Sequence, residues 1–256
     1  MTFRNTLLAA SALLALSGGA AFAADAPKTP DLVIAYNFGV ATDYAFRGIT
    51  QTGEQASAFA GVDLTYKTQF YAGLWTSNID FTGFNTYVGP TQEVDVYAGW
   101  KPTVGPVNLD LGVIYYGYVD QFKGEDADYT ELYAKGSEAF GPLTLGAAVY
   151  YSPNYGGPAK AGYYVEGNAA YTINPKWAVS GAIGYQEENK GDTFTALTAQ
   201  DFDYTTWNLG VTYTISDHFS ADLRYVDTSD HKYVESFAGI PSAGNARVIG
   251  TLKATF

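Results

Sequence analysis

The chain has 256 residues, no cysteine, one methionine and a formal charge of −12 at pH 7. Without cysteine a disulfide scaffold is excluded, and an isoelectric point near 4.4 argues against nucleic acid as a partner. The 22 Tyr, 15 Phe and 28 Gly suit strands punctuated by turns.

The N-terminus combines Arg4, an apolar run from Leu7 to Leu16 and an Ala21-x-Ala23 cleavage pattern. That is the layout of a secretory signal peptide over residues 1–23. The apolar run is too short to span a bilayer, which takes about 20 residues. No cysteine follows the cleavage site, so a lipid anchor is not expected. Loss of Arg4 takes the charge from −12 to −13, and residues 24–256 are expected to form a single domain.

Twelve segments alternate with period 2, over residues 32–49, 56–67, 69–79, 92–101, 107–119, 128–140, 142–152, 161–173, 177–187, 203–215, 218–228 and 246–256. In the first, Val40, Thr42, Tyr44, Phe46 and Gly48 share one face of a strand. Ala41, Asp43, Ala45 and Arg47 share the other. Val107, Leu109, Leu111, Val113 and Tyr115 oppose Asn108, Asp110 and Gly112. Trp207, Leu209, Val211, Tyr213 and Ile215 oppose a row of Thr, Asn and Gly. Segment 69–79 is ambiguous, because Phe70/Leu74 and Tyr71/Trp75 compete for the apolar face, and 128–140 alternates weakly.

The connections alternate too. Short turns at 67–69, 101–106, 141–142, 174–176 and 216–218 interleave with longer, polar loops at 81–91, 121–126, 152–160, 188–202 and 228–245. Sorting by length is the habit of an outer-membrane barrel, with short periplasmic turns and long extracellular loops. A periplasmic β-sandwich, the competing fold, has no reason to sort its loops this way. Ring pairs support the barrel. Trp177/Tyr185 and Tyr163/Tyr171 each lie eight residues apart on one face, roughly 20 Å of climb along a tilted strand, which matches two interfacial girdles. The expected fold is all-β: an antiparallel transmembrane β-barrel of twelve strands, in the outer membrane.

The string GVATDYAFRGITQTG at 39–53, followed by GVDLTYKTQFYAGLWTSNID and EVDVYAGW, resembles the TorF family of proteobacterial outer-membrane porins. The resemblance extends over the whole chain and is most specific in ATDYxFRGxxQT. It implies an outer-membrane barrel of porin type and brings no substrate or active-site set. A final strand ending in Phe256 similarly resembles the C-terminal signal that the barrel-assembly machinery reads.

With the apolar faces toward lipid, Asp43, Arg47, Asp63, Glu93, Asp95, Asp110, Glu131, Lys135, Glu166, Asp222, Arg224, Arg247 and Lys253 point into the lumen. Mixed charges inside a closed sheet need water or partners. They describe either a narrow hydrated channel or a salt-bridged plug. Setting Phe256 opposite Ile34 at the closing seam would place Arg247 opposite Asp43, as a lumenal pair or as two groups each facing water. Tyr44 and Phe46 would then join the outer aromatic girdle. Acid concentrated in the loops at 120–128, 187–203 and 227–245 would favour cations or neutral solutes at the mouth, or bridge through divalent ions to lipopolysaccharide.

The expected activity is therefore passive diffusion of small hydrophilic solutes, with a non-conducting structural or adhesin-type barrel as the alternative. Expected partners are membrane lipid, lipopolysaccharide, the assembly machinery and the solutes. Catalysis is not expected. His218 and His231 fall on opposite sides of the membrane, and Asp230 beside His231 is a loop pair more suited to solvent. No P-loop, dinucleotide fingerprint or metal-spaced set is present, so neither cofactor nor metal is expected.

Overall fold

The computed structural model describes residues 31–81, 89–121, 127–155, 161–188, 202–229 and 242–256. The signal-peptide segment, His231 and the central parts of five long connections lie outside the described residues. The elements in chain order are β1 (Leu32–Ala41), β2 (Ala45–Phe46), β3 (Ile49–Thr50), β4 (Ser57–Tyr66), β5 (Phe70–Asn78), β6 (Gln92–Trp100), β7 (Thr103–Val104), β8 (Val107–Val119), β9 (Tyr129–Phe140), β10 (Leu143–Ser152), β11 (Gly162–Asn174), β12 (Trp177–Glu188), β13 (Phe202–Thr214), β14 (Phe219–Thr228) and β15 (Arg247–Thr255).

Twelve of these form one closed antiparallel barrel, with β1 bonded to β15 on one side and β4 on the other. β7 folds back on β8 within a turn, while β2 and β3 form a separate small hairpin. Among the described residues there is no helix.

The period of 2 becomes an outer and an inner face. On β5 the ambiguity resolves cleanly: Phe70 and Leu74 are 51% and 42% exposed on the outer wall, whereas Tyr71 and Trp75, at 6% and 2%, point inward. β9 alternates weakly because Tyr129, Glu131 and Tyr133 all face inward. The interior-facing rings need room against the wall. Gly73 and Gly112 provide it, since a Cβ there would meet the rings of Tyr97 and Tyr133 at 2.4 Å.

The five short connections lie at one end, with Phe256. Lys67 and Thr68 there have φ of 49° and 61°, the left-handed pair of a two-residue hairpin turn. Outward rings mark this end (Tyr66, Phe70, Trp100, Trp177, Phe219) and recur toward the loop end (Tyr115, Tyr163, Tyr185, Tyr225). Leu and Val fill the band between. An apolar wall flanked by rings is built for hydrocarbon.

The seam departs from expectation. Phe256 exchanges two backbone hydrogen bonds of 2.9 Å with Tyr36, not with Ile34, so the register is shifted by two residues. β1 and β15 match over five pairs, Asn37–Ala41 with Thr251–Thr255, while β1 and β4 match over ten. The seam is short because β1 ends at Ala41 rather than near residue 49. After one last bond, from Thr42 N–H to the Gly250 carbonyl at 2.9 Å, the chain turns into the barrel.

Candidate functional site in the barrel lumen

Residues 43–52 fill the loop end of the lumen, with the β2–β3 hairpin at their centre. Asp43 fixes the entry. One of its oxygens accepts the hydroxyls of Thr50 (2.6 Å) and Thr52 (2.8 Å), and the other accepts Arg247 Nη1 at 3.0 Å. Arg247 also donates to the carbonyls of Gly48 (3.3 Å), Asn245 (3.0 Å) and Ala243. The expected Asp43–Arg247 pair is therefore present, by a different route. In the true register Asp43 is no longer in the ladder, and it meets Arg247 because the inturned segment brings it back.

Arg47 is the deepest anchor. Its backbone is left-handed, at φ 48°, and Gly48 follows at φ 84°. Two successive left-handed residues swing the side chain out of strand geometry and across the lumen. The guanidinium grips Glu131 on β9 with two bonds, of 2.9 and 2.7 Å, and donates to Gln186 on β12 at 2.8 Å. Its face lies 4.3 Å from the Tyr164 ring centroid and 4.9 Å from that of Tyr150. A planar fork suits both tasks, paired carboxylate bonds and aromatic contact. Glu131 and Gln186 are 1% and 0% exposed, so this contact is closed to solvent.

Tyr44 and Phe46 correct the expected outer girdle. Tyr44 faces inward, donates to Glu93 at 2.8 Å and meets Trp75 edge-on at 5.3 Å; Phe46 meets Tyr116 at 5.7 Å. Glu93 and Asp95 are both buried beside them, and Asp95 Oδ1 has no hydrogen-bond partner among the described residues. An open hydrated channel running the length of the barrel is therefore not what this state contains. The loop half is packed, and the polar space lies toward the turn end.

There the remaining charges are spread along the wall. Asp63 accepts from Tyr97 (2.7 Å) and Asn37 (3.3 Å), and Asp110 accepts from Tyr71 at 2.5 Å. Glu166 accepts from Tyr164 at 2.8 Å and Asn168 at 3.2 Å. Arg224 pairs with Asp222 at 3.1 Å and donates to Asn208 at 2.6 Å and Ser180 Oγ at 2.9 Å. Lys101 and Lys135 lie over tyrosine faces, Lys101 4.3 Å from Tyr71 and Lys135 4.4 Å from Tyr133. Lys253 is half-buried on the inner face of β15.

His218, at a turn, has Nδ1 2.8 Å from the Thr255 carbonyl and stacks on Phe256. Sequence reasoning missed Gln186, Ser180, Asn208 and the inward tyrosines. Their signal was present as inner-face positions of alternating strands, but it was weighted toward charge.

A family model described as "Bacterial protein of unknown function (Gcw_chp)" matches residues 24–256. No curated protein matches the chain. Among solved structures, a NanC porin aligns with a TM-score of 0.56 and 11% identity, over 88% of this chain and 99% of that one. A KdgM porin aligns with a TM-score of 0.55 and 9% identity, over 88% and 98%. A second KdgM structure, in complex with disordered oligogalacturonate, aligns with a TM-score of 0.53 and 10% identity, also over 88% and 98%. At such identities these likenesses establish a shared barrel fold. From residue 24 to its last residue, the chain belongs to the Gcw_chp family of bacterial proteins.

Proposed function

We propose that this protein is an outer-membrane porin for small hydrophilic solutes, held closed by its own first loop, with residues 42–55 as the gate. The carrying observation is Arg47. A polar lumen rises from the turn end and stops where this one arginine ties an inturned segment to Glu131 and Gln186 on the opposite wall. The apolar outer wall supports membrane insertion, and the porins that share the fold support solute passage. The resemblance to TorF porins agrees, and its most specific string, ATDYxFRGxxQT, is the gate itself.

On this reading residues 1–23 direct export, the five short turns face the periplasm and the long loops face outward. Phe256 is offered to the assembly machinery, and lipopolysaccharide surrounds the outer rim. Asp120, Asp128, Asp203 and Asp227 stand at the loop end. An acidic rim favours cations or neutral solutes. No reaction is part of this reading.

The test is single-channel recording in planar bilayers. Wild type is expected to open rarely. The double variant Arg47→Gln/Glu131→Gln, which removes both charges and leaves neither stranded, is expected to show frequent steps. Liposome swelling with sugars of graded size then gives the cut-off. A second reading, a structural barrel, is favoured by the burial of the gate's bonds; no steps above background in the double variant would select it.

A further inference from the structure

Beneath the gate, on the wall made by β8–β14, lies a partly enclosed cavity of about 80 Å³. It holds several waters' worth of space. Its charged lining is balanced: Asp110 and Glu166 against Lys135 and Arg224. The balance holds when near neighbours are counted, since Asp222 beside Arg224 is offset by Lys101 over the Tyr71 ring. Each acid is held by neutral hydroxyl or amide donors, and Arg224 is bonded to Asp222.

Around these charges the cavity offers hydroxyls and amides with spare capacity. The Lys135 ammonium, the Ser137 hydroxyl and the Asn208 amide nitrogen make no hydrogen bond to protein among the described residues. Asn208 uses only its oxygen, toward Arg224. Tyr150 closes the gate side of the cavity, its ring covered by Arg47 and Lys135.

We infer that this cavity is a binding station for a small, uncharged, polyhydroxylated solute of roughly monosaccharide size. Hydroxyl groups donate and accept at once, which suits a lining that presents ammonium and amide donors beside carboxylate acceptors. A solute with net charge gains nothing from a lining whose charges cancel, and it surrenders its own hydration on entering. The inference deepens the porin reading and rests on it only for the route by which the solute arrives. The cavity lies on the turn side of the gate, so it fills without the gate opening.

Isothermal titration of the full chain in detergent micelles tests it, with glucose, gluconate and glucosamine as probes. Glucose is expected to bind saturably in the millimolar range, with gluconate and glucosamine at least about tenfold weaker. Asn208→Leu and Ser137→Leu, which remove hydrogen bonds while keeping the barrel's charges, are expected to weaken glucose by about tenfold each. The heat-dependent gel shift of a folded barrel serves as the check on assembly. Tighter binding of either charged probe, or no saturable glucose binding to folded wild type, would overturn the inference. Saturable binding with no conductance in the gate variant would sink the porin reading and leave the site standing. Conductance without binding would do the reverse.

Discussion

On the gating proposed above, Gly48 is the residue on which the gate turns. A Cβ there would lie 2.4 Å from Thr206 Oγ1 and from Thr228 Cγ2, and the backbone is already at φ 84°. Gly48→Ala therefore combines left-handed strain with overpacking and should cost about 2–4 kcal/mol in urea unfolding of the micellar protein. The same variant should raise the frequency of channel opening, because the strain is local to the seat of Arg47. Asp95 predicts the opposite sign. Its oxygen without a partner lies in the packed half beside Glu93. Asp95→Asn should leave stability unchanged or raise it by about 1 kcal/mol, as the same denaturation would show. Neither residue's role was legible beforehand. An alternating string tells where a side chain falls if the backbone stays extended, and the sign of φ at Arg47 is not written in that alternation.

At the scale of the element, residues 42–55 look like the end of a strand and behave as a loop. Thr42, Tyr44 and Phe46 keep strand spacing, so the period alone carries β1 on to residue 49. The competing information was the density of short hydroxyl side chains, Thr50 and Thr52, after Gly48. These residues bond locally in preference to joining a ladder, and here both hydroxyls go to Asp43. Replacing residues 43–54 by a Gly/Ser linker of equal length should leave the barrel folded, since every long strand keeps its neighbours. It should also convert rare openings into a continuous conductance, measured in the same bilayer as wild type. By contrast, the other eleven strands were legible almost to their ends, because one wall meets lipid and the other does not.

For the whole molecule, that difference between walls is the dominant energetic term. Leu223 stands near the middle of β14 and is 61% exposed on the outer surface. Leu223→Arg should cost about 2–4 kcal/mol in a bilayer and much less in a short-chain detergent, and comparing unfolding in the two media checks it. The seam was the part of the architecture the sequence left least determined. Two neighbouring in-face registers both bury polar and expose apolar side chains, and only the early departure of the chain at Thr42 selects between them. That short seam has a consequence in time. The seat of Asp43 needs Arg247, and Thr42 and Thr50 bond to the carbonyls of Gly250 and Ala243. These partners lie about two hundred residues downstream of the segment they receive. During biogenesis the first loop must wait, unseated, until the last strand arrives, so on the gating proposed above the act that completes the wall is also the act that first shuts the door.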